Sequence, residues 1–266
     1  MGLYRPAVSV YCWFEELSLK IKNTAEYLRS PFINAAFMKR KELDCLPFPP
    51  VRLVYLVTNT YRYEWFFETG TIGSQCIRSI LEKNNMRIDA FASILDFGCG
   101  CGRIIRHWKQ DSRLCGSDYN PVLAGWCREN LPFAEFTVNG LASKLIYADE
   151  TFDFIYAISV FTHLTEELGF FWMKELGRVL RPGGVMYLTF MGTTRAPHLR
   201  TELREQFEKG RLVVTGEEFS GGNRCAVYHP EKYVREILAK EFHVLDFIPG
   251  GARDANQDVF LLQKTL

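Results

Sequence analysis

The sequence has no run approaching the ~20 apolar residues that a membrane-spanning helix requires. It has no surplus of either charge. Across 266 residues, 32 Lys and Arg face 31 Asp and Glu, for a net charge of +1. That balance leaves no whole-chain electrostatic footprint for nucleic acid. There is no internal repeat and no low-complexity segment, which sets aside solenoids and repeat arrays. Balanced charge with 14% aromatic residues sets aside disorder as the overall state. The apolar run Val8 to Phe14 meets Glu15 and Glu16 at once and reads poorly as a secretory leader. Pro6 stands where a myristoylation signal at Gly2 needs Ser or Thr. Eight cysteines are spread irregularly, so reduced thiols and a cytoplasmic location are expected. Cys99 and Cys101 have no second Cys or His pair at zinc-ligand spacing, and no metal is expected.

What is present divides near residue 92. Before it, helical periodicity over Glu15–Leu28 and Trp65–Lys83 is broken by Leu46-Pro47-Phe48-Pro49-Pro50. After it, short apolar runs alternate with amphipathic stretches. Strands are expected at Ser93–Phe97, Arg113–Ser117, Phe133–Thr137, Phe154–Ser159 and Val185–Phe190. Helices are expected between them, at Arg103–Lys109, Pro121–Asn130 and Thr165–Leu180. Such alternation predicts an α/β fold with a doubly wound parallel sheet. A helix at Pro230–Lys240 precedes two further strands, Phe242–Ile248 and Asp258–Gln263. The link between those strands is too short for a helical crossover, so the last of the seven should run antiparallel. The expected domains are an N-terminal helical cap at 1–92 and a catalytic domain at 93–266, with an insertion at 191–229.

The sharpest local signal is Asp96-Phe97-Gly98-Cys99-Gly100-Cys101-Gly102, placed between a strand and a helix start. Glycines there let a ligand approach the backbone, and the unpaired N–H groups beyond favour anionic atoms. Asp118 ends the next strand. It can accept both hydroxyls of a ribose, or it can cap the helix that begins near Pro121. The dinucleotide fingerprint fails at its third glycine, where Arg103 stands. An ionised Asp96 before the glycines would repel a pyrophosphate and welcome an ammonium or sulfonium.

In these motifs the sequence resembles the class I S-adenosylmethionine-dependent methyltransferases. Asp96, Gly98, Gly100 and Gly102 match the first motif of that superfamily, and Asp118 matches its second acid. Asn139-Gly140, Phe152-Asp153 and Val179-Leu180-Arg181-Pro182-Gly183-Gly184 follow in order. The resemblance implies a Rossmann-like seven-stranded sheet and S-adenosylmethionine as cofactor, with S-adenosylhomocysteine as product. It implies that Gly98, Cys99 and Gly100 lie along the methionine portion, with Asp96 beside its ammonium. Asp118 would hold the ribose and Tyr119 would lie against the adenine. Asn139 would bond the adenine edge, beside Gly140 and Leu141. Ser159 and Val160 would approach the methionine end.

The acceptor is read from absences. The fourth strand runs on as Ser159-Val160-Phe161-Thr162-His163, without the Asn/Asp-Pro-Pro-aromatic motif of adenine and glutamine methylation or the Pro-Cys pair of cytosine methylation. A small molecule or saccharide, methylated on oxygen or nitrogen, is therefore expected. No nucleic acid or membrane partner is expected, and the oligomeric state is not legible. His163, just past the fourth strand, and His229, before Pro230, are the candidate catalytic bases. Each could instead be a packed structural histidine. Tyr55, Tyr61, Tyr63, Trp65, Phe66 and Phe67 could line an acceptor pocket or form core. The competing readings are a protein or RNA methyltransferase, a non-enzymatic binding module on the same fold, and an NAD(P) enzyme.

Overall fold

The computed structural model describes residues 22–40, 43–108 and 112–265. They fall into two compact units, divided between Glu68 and Thr69. The first unit holds helix α1 (residues 22–37), helix α2 (Val51–Thr58) and the first turns of helix α3 (Tyr63–Lys83). The expected helix at Glu15–Leu28 lies partly outside the described residues. Asn34 ties this unit together: its Nδ2 donates to the Tyr61 carbonyl at 2.9 Å, and its Oδ1 accepts from Tyr63 N at 2.9 Å. Tyr55 stacks on Tyr61 at 4.5 Å, and Phe48 packs against Tyr63, Phe66 and Phe67. These aromatics pack largely on one another.

The second unit is built on a seven-stranded sheet. Its strands are β1 (Ser93–Phe97), β2 (Arg113–Asp118), β3 (Glu135–Val138), β4 (Phe152–Ala157), β5 (Leu180–Phe190), β8 (Phe242–Ala252) and β9 (Gln257–Lys264). They lie in the order β3-β2-β1-β4-β5-β9-β8. The first five are parallel, and β9 runs antiparallel to both β5 and β8, as the short link requires. β1 is buried along its whole length, which is why it reads as an unbroken apolar run around Asp96.

Helix α4 (Pro121–Asn130) starts with Pro121 at its first position, and the Asn120 side chain accepts from Val122 N. Helix α5 (Glu166–Val179) buries Gly169, Trp172, Met173, Leu176 and Val179, spaced three and four apart on one stripe. Trp172, Met173, Leu176 and Val179 meet Phe97, Ala157, Met186, Leu188 and Phe190 in the main core. Truncations of buried aromatics such as Trp172 typically cost about 3–5 kcal/mol.

Two expected helices differ. Residues 103–108 of the expected Arg103–Lys109 helix are not α-helical: turns lead into a single 3₁₀ turn at Ile105–His107, and Lys109 lies outside the described residues. Gly98, Gly100 and Gly102 all have positive φ, so the backbone leaves the right-handed region repeatedly just where a helix would start. Pro230–Lys240 forms one α-turn, α7 (Glu231–Tyr233), followed by a π-turn (Val234–Leu238). The segment 191–229 holds helix α6 (Thr201–Glu208) and a small separate sheet of β6 (Val213–Thr215) and β7 (Ala226–Tyr228). No described helix is long and apolar enough to cross a membrane.

Candidate cofactor site

The parallel register sets Asp96 beside Gly116 and Phe97 beside Ser117, so the ends of β1 and β2 open together. The glycine loop is fastened there. Gly98 N and Cys99 N donate to the Ser117 carbonyl at 2.8 and 3.1 Å. Gly98 (φ 77°) lies so close to Val160 that a Cβ would overlap Val160 Cγ2. The loop is thus held by β2 on one side and by the end of β4 on the other.

Asp118 is buried. Its Oδ2 accepts from Gly100 N at 2.8 Å and its Oδ1 from Asn120 N at 2.8 Å. Burial pushes its carboxyl above the usual range. The cap of α4 is Asn120, so the cap alternative for Asp118 does not hold. Each carboxylate oxygen keeps a further lone pair for a hydroxyl.

Asp96 is 4% exposed. Trp108 Nε1 donates to Tyr156 Oη at 2.9 Å, and the Tyr156 hydroxyl in turn bonds the Asp96 carboxyl. Asp96 Oδ2 has no hydrogen-bond partner among the described residues. Burial pushes its carboxyl up to about 7, against the Tyr156 hydrogen bond and the Arg103 guanidinium, which both favour the ionised form. Arg103 is itself held by Asp254 at 2.9 Å. A buried, unpartnered carboxylate oxygen costs free energy unless a cationic donor meets it.

The other expected residues assemble around these two. Asn139 N donates to the Asp118 carbonyl at 3.1 Å, and its side chain bonds Ser117 Oγ and the Gly140 carbonyl. Gly140 N donates to Ser143 Oγ, and the Leu141 carbonyl accepts from Trp172 Nε1. Tyr119 and Leu141 remain exposed, at 50% and 41%. Ser159 takes the left-handed conformation, φ 59°, which is uncommon for a residue with a Cβ. Cys99 is buried, with its thiol pushed up by a hydrogen bond to Cys127 and by burial. No cysteine among the described residues is in a disulfide.

The two histidines part company. His163 is half-buried, and its Nδ1 lies 2.6 Å from the Cys225 carbonyl. A carbonyl only accepts, so Nδ1 carries the hydrogen and Nε2 keeps its lone pair. Burial lowers the pKa of His163 below its ordinary value, favouring that neutral form. Gly221 N donates to the His163 carbonyl at 2.7 Å, and a Cβ at Gly221 would meet Leu141. The inserted segment therefore lies against both His163 and Leu141. His229 is 3% exposed and packs between Phe190 and Tyr233. Burial lowers it to about 3. Its surroundings are those of a core residue.

Tyr156, Thr189, Gln257 and Asp254 belong to the site's surroundings and match no sequence motif, and Arg103 joins them although the sequence marks it only as the residue in place of a third glycine. Tyr156 and Thr189 sit inside apolar strands, where a polar tip in a buried run was the available signal. Gln257 and Asp254 come from the last hairpin, distant in sequence, and no motif marks them.

The strand order, the left-handed glycine loop and the two strand-end acids define a Rossmann-like methyltransferase fold. Comparison with known proteins agrees. A family model described as a methyltransferase domain matches residues 95–188. The sterol 24-C-methyltransferase of Schizosaccharomyces pombe is 30% identical over 146 residues, covering 49% of this chain and 38% of that protein. The chain spans 38 to 65% of the length of the curated relatives it matches. Among solved structures, a SAM-dependent methyltransferase from Methanosarcina mazei aligns with TM-score 0.51 and 23% identity, over 70% of this chain and 97% of that one. The 1,6-didemethyltoxoflavin-N1-methyltransferase of Burkholderia thailandensis, solved with bound 1,6-didemethyltoxoflavin and S-adenosylhomocysteine, aligns with TM-score 0.53 and 16% identity, over 84% of this chain and 94% of that one. Residues 95–188 thus match a methyltransferase domain, and the fold is that of the class I S-adenosylmethionine-dependent methyltransferase superfamily. The cofactor of that superfamily is S-adenosylmethionine, and the unpartnered oxygen of Asp96 fits its ammonium.

Proposed function

We propose that this chain transfers a methyl group from S-adenosylmethionine to an oxygen or nitrogen of a small-molecule or saccharide acceptor. The observation that carries the reading is the buried Asp96 carboxylate, with one oxygen unpartnered at the mouth of the glycine loop. S-adenosylmethionine supplies, when bound, a sulfonium methyl group open to in-line displacement. Asp96 takes the ammonium, Asp118 the ribose, and Tyr119 and Leu141 face the adenine. His163 acts as the base. Its Nε2 accepts the acceptor's proton, while the Cys225 carbonyl holds the ring in the tautomer that leaves Nε2 free. His229, enclosed in core, takes no part. The inserted segment completes the acceptor pocket. The sterol and toxoflavin enzymes, both named for small acceptors, support the small-molecule class.

The test is transfer of a methyl-labelled cofactor to pooled hydroxylated and aminated small molecules, saccharides, protein and RNA. Label should enter the small-molecule or saccharide fraction. His163→Asn, which can still donate to Cys225, should lower that transfer about 10²-fold or more and leave cofactor binding intact. Label appearing only in protein or RNA would overturn the acceptor class, and an unaffected His163→Asn would remove the base.

A further inference from the structure

We infer that Gln257 and Thr189 are positioning residues that turn the Ser159 hydroxyl outward, as a donor to the carboxylate of the cofactor's methionine portion. The inference rests on the cofactor reading above. Three bonds make a closed ring with a direction. Ser159 N donates to Thr189 Oγ1 at 2.8 Å. Thr189 Oγ1 donates to Gln257 Oε1 at 2.7 Å. Gln257 Nε2 donates to Ser159 Oγ at 2.8 Å.

The direction follows from the Gln257 amide, whose oxygen faces Thr189 and whose nitrogen faces Ser159. An amide oxygen only accepts, so the Thr189 hydroxyl spends its single hydrogen there, and an amide nitrogen only donates. Ser159 Oγ is then an acceptor within the ring, and its own hydrogen is left to point out of it. Thr189 and Gln257 are buried, and Ser159 is the member that reaches the surface.

The ring also holds Ser159 in its left-handed backbone, helped by Thr162 Oγ1, which donates to the Ser159 carbonyl at 3.0 Å. The next residue, Val160, presses on Gly98. The outward hydroxyl therefore opens beside the glycine loop. A zwitterionic methionine end brings two charges. Asp96 answers the ammonium, and a hydroxyl whose hydrogen is turned outward suits the carboxylate.

The test compares S-adenosylmethionine with its decarboxylated analogue by calorimetry, in the wild type, Ser159→Ala and Gln257→Glu. The glutamate keeps the size of Gln257, but an ionised carboxylate only accepts, so Ser159 would donate inward. Both variants should lose about ten- to a hundredfold in affinity for S-adenosylmethionine, the range of a hydrogen bond to a charged group. Both should bind the decarboxylated analogue within about twofold of wild type. Ser159→Ala decides the matter should Gln257→Glu fail to fold. Unchanged affinity in Ser159→Ala, or equal loss for both ligands, would overturn the inference. A wild type that binds neither ligand would instead overturn the cofactor reading beneath it.

Discussion

Asp96 and Asp118 end neighbouring strands, yet the fold treats them differently. Asp118 spends both oxygens on backbone N–H groups and so braces the glycine loop before any ribose arrives. Asp96 leaves one oxygen bare in a buried place. Its carboxyl is pushed up to about 7, so at neutral pH it stands between neutral and ionised forms. An ammonium ligand needs the ionised form. Cofactor affinity should therefore rise as pH rises from 5 to 7, approaching tenfold per unit at the lower end. Asp96→Asn should bind weakly at every pH in that window and show no such slope. A wild-type affinity that is flat with pH would contradict the ammonium role of Asp96. Both acids and the glycines were legible in the sequence because motif and strand end coincide. Tyr156 and Arg103 were not, since what makes them matter is the burial that brings them to Asp96.

At the scale of elements, the strand–helix alternation after residue 92 was readable nearly to its ends. β1 and α4 match their expected bounds, because a continuous apolar run and a Pro121 start with an Asn cap are local signals. The antiparallel β9 was readable from a link too short to cross over. The helix after the glycine loop was not. The spacing of its apolar residues suits a helix, but the left-handed Gly98, Gly100 and Gly102 govern the backbone there. The ring joining Ser159, Thr189 and Gln257 was also hidden, because it links three strand ends far apart in the chain. The contact of Gly98 with Val160 makes the loop and the end of β4 one mechanical unit. Gly98→Ala adds a Cβ to a left-handed position and drives it into Val160. It should cost roughly 2 kcal/mol or more in unfolding free energy, measured by denaturant titration. Adding Val160→Ala should recover part of that loss and leave the backbone cost of about 1–2 kcal/mol. No recovery in the double variant would show that Val160 is not the obstacle.

For the whole molecule, two buried groups bend stability with pH in opposite senses. Asp96 titrates at about 7 in the folded chain, against an ordinary value of 3.8. The folded form keeps a proton that the unfolded chain gives up, so its contribution falls as pH rises across that window. His229 titrates at about 3, against 6.5. The unfolded chain takes a proton that the folded form refuses, so its contribution falls as pH drops from 6.5 toward 3. Each slope is at most about 1.4 kcal/mol per pH unit. Between pH 4 and 6.5 the two largely offset each other. Relative to wild type, Asp96→Asn should gain stability as pH rises from 4 to 7, and His229→Phe should gain as pH falls from 6.5 to 4. Denaturant midpoints across that range check both. Parallel pH profiles for wild type and Asp96→Asn would contradict the buried, protonated state of Asp96.

Whether the loop after β1 holds S-adenosylmethionine is decided by calorimetric titration of the purified chain with S-adenosylmethionine, S-adenosylhomocysteine and NAD. Saturable 1:1 binding of the first two at micromolar concentrations, and none of NAD, is expected. Binding of NAD, or of none of the three, would contradict that expectation.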